Sequence, residues 1–198
     1  MSKQSIRELM VPLSNCATVP QEASLCDAVT ALREAQESYD QGKYPHRAIL
    51  IVDEHNDVVG KVNLTAILKA LEPKYGEMLS DDSPSHYGFS TEFQKQIYES
   101  FNLWDSSLDE LCATAASLKI KTFMFEVKKD GQIDVDASIE LAIHQLVLGQ
   151  LQSLLVTENN RTVGLLRLTD VFECVAESIM ACDTSETKIK ITGAEKGV

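Results

Sequence analysis

Positive charge is scarce in this chain. Eighteen lysines and arginines face 30 aspartates and glutamates, for a formal net charge of −12. Such a surface repels phosphate backbones, which argues against nucleic-acid grooves and anionic membranes as partners. A small anion can still bind where a local positive group overrides the field. Long hydrophobic runs are also missing. The longest uncharged stretch, Leu141 to Thr157, is short for a membrane span and carries His144, Gln145, Gln150, Gln152 and Ser153, so it reads as a buried helix followed by a buried strand. Met1 to Ser5 lead into no apolar segment, so no secretory signal is expected. The five cysteines, Cys16, Cys26, Cys112, Cys174 and Cys182, form no C-x-x-C pair. Their apolar neighbours suit small core residues, and a cytoplasmic location is expected. Catalytic signatures are absent as well. The four histidines are scattered, and no G-x-S-x-G, H-E-x-x-H, phosphate-cradling glycine loop or metal-spaced Cys/His cluster occurs. No enzyme activity, metal site or required cofactor is expected.

What the chain does contain is a repeat. At 44% hydrophobic and 24% charged it has an ordinary globular composition. An offset of 104 carries Leu50-Ile51-Val52-Asp53-Glu54 onto Leu154-Leu155-Val156-Thr157-Glu158, Val59-Gly60 onto Val163-Gly164, and Val62, Leu64 and Thr65 onto Leu166, Leu168 and Thr169. An offset of 114 carries Ile6, Met10, Val19, Ala23-Ser24 and Ala28 onto Ile120, Met124, Ile133, Ala137-Ser138 and Ala142. The first copy should therefore hold ten extra residues between Leu32 and Leu50, around the loop signals Gly42 and Pro45.

Each copy reads as β-α-β-β-α. A strand near Val19 or Ile133 precedes a helix opening at Ser24 or Ser138, and Ser24 with Asp27 fits a capping box. Strands follow at Ala48–Val52 and Val58–Val62, or Leu154–Val156 and Thr162–Leu166, each pair joined by a polar turn. Closing helices are expected from about Thr65 and Thr169. One unit is too small to bury both faces of its sheet, so the two copies are expected to pack face to face, with pseudo-twofold symmetry, around a common core. The fold class is α/β (α+β). The expected division is 1–72 for repeat 1, 73–118 for a helical insertion, 119–182 for repeat 2 and 183–198 for a tail. Within the insertion, Thr91 to Gln94 fits a helix start, with Phe93, Ile97, Phe101 and Trp104 on one face, and Ser107 with Glu110 fits a second capping box. These helices should pack on their own domain; the other reading is a partner or dimer surface. Leu79 to Gly88 is polar and the tail from Asp183 reads as poorly ordered.

The order of short motifs resembles a pair of CBS domains, named after cystathionine β-synthase. The family's order is an apolar strand ending in Asp, a turn, Val-Gly, a second strand and a Ser/Thr-x-x-Asp step into a helix; its counterparts here are Ile51-Val52-Asp53 with Val59 to Ala66, and Leu155-Val156-Thr157 with Val163 to Asp170, where Arg167 occupies the Ser/Thr position and Ala66 that of the last acid. Ile6 to Met10 resembles the family's opening segment. The resemblance implies a tandem pair, often a homodimer, that binds adenine nucleotides or related adenosyl compounds in clefts between the copies and alters the activity of a partner.

It also implies a set of contacts. Asp170 stands where the family's acid takes the ribose hydroxyls, a carboxylate offering two acceptors to a diol. Thr169 and Arg167 flank it, and a guanidinium can grip a phosphate. His46, Arg47 and Ala48 would lie along the base, with Thr18 adding a hydroxyl. In the first copy Ala66 replaces the acid and Asn63 is left for weak polar contact, which implies one plausible and one degenerate cleft. The plain alternatives are that Asp170 caps its helix, Arg167 is its salt-bridge partner, His46 and Arg47 are solvated, and His144 is a core or boundary histidine. Two functions follow: a sensor of AMP, ADP, ATP or S-adenosylmethionine, or an interaction and dimerisation module whose clefts no longer bind. A metal or other small anion in the cleft is a third.

Overall fold

The computed structural model describes residues 4–38, 45–75, 90–127 and 129–183. The loop around Gly42, the stretch Leu79 to Gly88 and the tail beyond 183 lie outside these. The chain divides into two compact units, Asn15–Val127 and Met1–Ser14 with Lys128–Val198. They are called here the first-copy and second-copy units. Each holds one four-stranded mixed sheet and its helices.

In the first-copy unit, β2 (Ala17–Pro20) runs parallel to β3 (Ala48–Val52), which pairs antiparallel with β4 (Val58–Asn63), which pairs with β5 (Phe125–Glu126). Helices α2 (Leu25–Ser38), α3 (Leu64–Ala70), α4 (Thr91–Ser100) and α5 (Leu108–Ala116) complete it. In the second-copy unit, β6 (Gln132–Asp134) lies parallel to β7 (Ser153–Glu158), β7 pairs antiparallel with β8 (Arg161–Arg167), and β8 pairs with β1 (Val11–Pro12). Its helices are α1 (Ile6–Leu9), α6 (Ile139–Leu148) and α7 (Leu168–Asp183). The compact units therefore do not coincide with the repeats. Each repeat sends its opening segment to the sheet of the other.

Local chemistry sets the helix starts. Ser24 Oγ accepts from Asp27 N at 3.1 Å, and Asp27 Oδ2 accepts from Ser24 N at 2.9 Å, which satisfies two free donors of α2. Ser107 and Glu110 form the same box on α5, and Ser138 Oγ accepts from Leu141 N at 3.2 Å on α6.

Buried apolar side chains group into two clusters, one in each unit. Ile49, Ile51, Val62, Val19 and Ala28 lead the first-copy cluster; Leu154, Val156, Leu166, Ile133 and Ala142 lead the second. This membership corrects the sequence alignment of the repeats. Ile49 and Ile51 correspond to Leu154 and Val156, an offset of 105, not 104. The pairing agrees: Leu50 is opposite Lys61, and Leu155 is opposite Leu165. A one-residue slip turns a strand's side chains to the opposite face, so the gapless match of Leu50 with Leu154 joined residues that face opposite ways. Nine of the ten extra residues therefore precede β3. The tenth is in the hairpin. Residues 53–57 separate Val52 from Val58, whereas 158–161 separate Thr157 from Thr162. The shorter turn is possible because Asn159 and Asn160 both adopt positive φ (51° and 62°), the conformation of tight two-residue hairpins.

The insertion also departs from expectation. Helix α4 is capped by Ser90, one residue earlier than expected, and stops at Ser100. Asn102 and Trp104 take positive φ (45° and 62°), so Phe101 and Trp104 do not continue its face. Phe93 and Phe101 are exposed, and it is Leu103 that is buried. No residue of α4 is buried, whereas α5 puts Ala115 into the first-copy core.

Candidate functional site

The two repeats start their closing helices in opposite ways. In the first copy, Asn63 is the N-cap of α3, and its Oδ1 accepts from Ala66 N at 2.8 Å. In the second copy the acceptor sits inside the helix. Asp170 Oδ2 accepts from Arg167 N at 3.3 Å and from Arg167 Nε at 2.6 Å, while Oδ1 accepts from Arg167 Nη2 at 2.5 Å. This is a bidentate pair with side chains only 7% and 13% exposed. Removing two charges from water is costly, and here each neutralises the other in fixed geometry. The arrangement thus presents a carboxylate whose two oxygens already hold a guanidinium. Thr169, in the first turn of α7, is half-buried.

The remaining expected residues lie in the first-copy unit. Thr18 is exposed on β2, and Ala48 is buried at the start of β3. Arg47 is exposed. His46 is buried, not solvated, and its backbone N donates to Gln36 Oε1 at 2.6 Å. Arg167, Thr169 and Asp170 are thus brought together by one helix start, and His46, Arg47 and Ala48 by one strand start. His144, expected in a core or boundary position, is exposed on α6. Ala142 and Leu146 fill the buried stripe, and a residue two positions on falls on the far side.

Two polar residues were missed. Glu72 is 3% exposed. Its Oε2 accepts from Trp104 N at 2.7 Å and its Oε1 from Lys74 N at 3.2 Å. Beside it, Lys74 Nζ donates to Asn102 O at 2.5 Å and to Asp105 Oδ2 at 2.9 Å, and the Trp104 ring meets Tyr75 edge-on at 6.4 Å. These contacts fasten the end of α3 to the turn after α4. The capping residue Asn63 and this clamp leave no periodic signal. Lys61, on β4, is the second missed residue. Burial pushes its ammonium below the usual lysine value.

Comparison with known proteins bears on the fold. Residues 6–73 match the family model of the CBS domain. Solved structures agree over most of the chain. CBSX2 in complex with AMP superposes with a TM-score of 0.54 at 15% identity, covering 88% of this chain and 98% of that one. The chain has the fold of a CBS-domain pair. CBSX2 from Arabidopsis thaliana, described as a CBS-pair protein, gives 0.53 at 16% identity over 90% of this chain and 99% of its own. A CBS-domain-containing protein from Agrobacterium tumefaciens gives 0.55 at 14% identity over 87% and 94%. No curated protein matches by sequence. Within this fold, Asn63–Ala66 and Arg167–Asp170 are the matching helix starts. No described helix is long and apolar enough to cross a membrane.

Proposed function

We propose that this CBS pair is a regulatory module that binds an adenine nucleotide or adenosyl compound and alters a partner. The observation that carries the reading is the acid at the start of α7, held at the position where the resemblance puts the ribose. The AMP complex of a protein with this fold supports it. In the second-copy unit the proposed contacts are Asp170, Thr169 and Arg167. In the first-copy unit they are Thr18, His46, Arg47 and Ala48. Arg167 would exchange one or both bonds to Asp170 for a phosphate, freeing the carboxylate for the diol. A ligand can shift a partner's activity only through its differential affinity for two arrangements of the pair. Calorimetric titration with AMP, ADP, ATP and S-adenosylmethionine tests this. Heat from at least one is expected; none from any of them, on folded protein, rejects it.

A second reading, an interaction module with closed sites, is favoured by the Arg167–Asp170 pair and by Ala66. We also propose a homodimer in the cytoplasm. Leu64 and Leu68 on α3, and their repeat equivalents Leu168 and Phe172 on α7, are all at least 40% exposed, which gives both copies an apolar strip to cover. Sedimentation of Leu68→Glu and Phe172→Glu should show a monomer if these strips join two chains.

A further inference from the structure

The insertion holds a helix that adds nothing to the buried core. Along α4, Phe93, Ile97 and Tyr98 lie on one side, and Glu92, Lys95 and Glu99 on the other. A helix this short is marginal by itself, so its apolar side is normally what folding buries. Here no residue of α4 is buried, and Phe93, Tyr98 and the capping Phe101 are 43%, 52% and 47% exposed.

The end of the helix is nevertheless held firmly. Leu103 is buried, the carboxylate of buried Glu72 accepts from Trp104 N, and Lys74 Nζ donates to Asn102 O and to Asp105. Trp104 is kept at a φ of 62°, a conformation that is costly for a bulky side chain. The clamp therefore presents α4 without packing it. An apolar strip on a helix held in this way marks a surface for another molecule.

Charge selects the occupant. Residues 75–118 contain eight aspartates and glutamates and one lysine, a net charge of −7 out of −12 in less than a quarter of the chain. A second copy would set two such surfaces against each other, and an anionic membrane or a nucleic acid would meet the same repulsion. A cationic protein segment is attracted instead. If that segment is an amphipathic helix, its apolar side lies against the strip and its charges stay at the rim.

We propose that the α4 side of the insertion is the docking surface for a basic amphipathic helix of a partner protein. The inference goes beyond the nucleotide reading, because it names the partner's chemistry and holds with no nucleotide bound. It also leaves the α3 and α7 strips to the homodimer.

Three synthetic peptides of about 18 residues, added to the full chain without nucleotide, test it. The first has leucine at every third or fourth position and lysine between. The second keeps the leucines and replaces the lysines with glutamate. The third scrambles the basic sequence so that its period is lost. Calorimetry and the emission of Trp104, the chain's one tryptophan, report binding. The basic periodic peptide should bind at least about tenfold more tightly than the other two, and several-fold more weakly at about 200 mM salt than at about 50 mM. The double variant Tyr98→Ser with Phe101→Ser should bind it roughly tenfold more weakly, with thermal unfolding unchanged because both side chains are exposed. The double variant Glu92→Gln with Glu99→Gln leaves the apolar strip intact, and should weaken binding and flatten its salt dependence. No binding of the basic periodic peptide overturns the proposal. So does equal binding of the scrambled peptide, which would be attraction by charge alone, or an affinity that neither double variant changes. If the wild type self-associates in sedimentation and Tyr98→Ser with Phe101→Ser makes it monomeric, a second copy is the occupant and the proposal also falls.

Discussion

Replacing Asp170 with alanine should damage the fold, and restoring the first copy's solution should repair it. Asp170 and Arg167 are 13% and 7% exposed and joined by two short side-chain bonds. Breaking a buried pair by removing one partner leaves an uncompensated charge, at a cost of about 3–5 kcal/mol. For a chain of this length that corresponds to a fall in Tm of roughly 6–20 °C. In the first copy the same two positions are Asn63 and Ala66, and Asn63 alone caps the helix. The double variant Arg167→Asn with Asp170→Ala therefore transplants a working helix start and removes the orphaned charge. It should recover more than half of the lost stability. Thermal and urea unfolding, followed by circular dichroism, would measure both. A double variant as unstable as Asp170→Ala, or a single variant that loses under about 1 kcal/mol, would refute the assignment of this pair as a buried, mutually neutralising unit. The comparison also protects any binding study, because a loss of ligand in Asp170→Ala alone would confuse recognition with unfolding.

Further outcomes follow from other contacts. Glu72→Ala removes the acceptor of Trp104 N, and should cost about 1.5–3 kcal/mol and shift the emission of the chain's one tryptophan; unchanged emission would argue against the clamp. Gly164→Ala would put a Cβ 2.5 Å from Val11 O, a backbone atom, whereas at Gly60 the nearest atom is Met124 Sδ at 2.9 Å, which can swing away. Gly164→Ala should thus cost about 1–3 kcal/mol and Gly60→Ala less, as read from urea midpoints. Acid should also destabilise the chain in a defined range. Hydrogen bonds hold Glu8 (from the Ser5 backbone) and Glu22 (from Lys121) below the usual 4.5, and Asp27 (from Ser24) and Asp53 (from the Asp57 backbone) below the usual 3.8. Groups lowered by folding contribute stability above their unfolded values and lose it as pH falls through the folded ones. A pH series of unfolding should therefore be flat near neutrality, begin to fall near 4.5 and steepen below 3.8.

Much of the architecture was legible because it is carried by periodicity and capping. Ser24, Ser107 and Ser138 cap helices as expected, and the strands fall where apolar runs are bounded by polar turns. What escaped has a physical cause in each case. The strand offset was hidden because Leu50 matches Leu154 and Leu155 equally well by residue type; only pairing distinguishes them. Helix α4 was extended too far because Asn102 and Trp104 leave helical space without a glycine to announce it. At the candidate site the acid Asp170 was readable from motif order, and the Arg167 pair was one of two readings. Lys61 was not readable as half-buried, since a lysine in an alternating strand normally faces water; strand pairing makes Leu165 its counterpart in the second copy.

The exchange of opening segments makes each half a debtor to the other. Met10 and Val11 approach the backbone of Gly164, and Met124 and Phe125 do the same at Gly60, so a strand encoded at the head of one repeat closes the exposed edge of its sibling. A polypeptide cut at the repeat boundary would yield two fragments, each lacking the outermost ribbon of its own sheet and carrying the one its sibling needs. Mixed together, such fragments have a reason to reassociate that neither has to fold by itself.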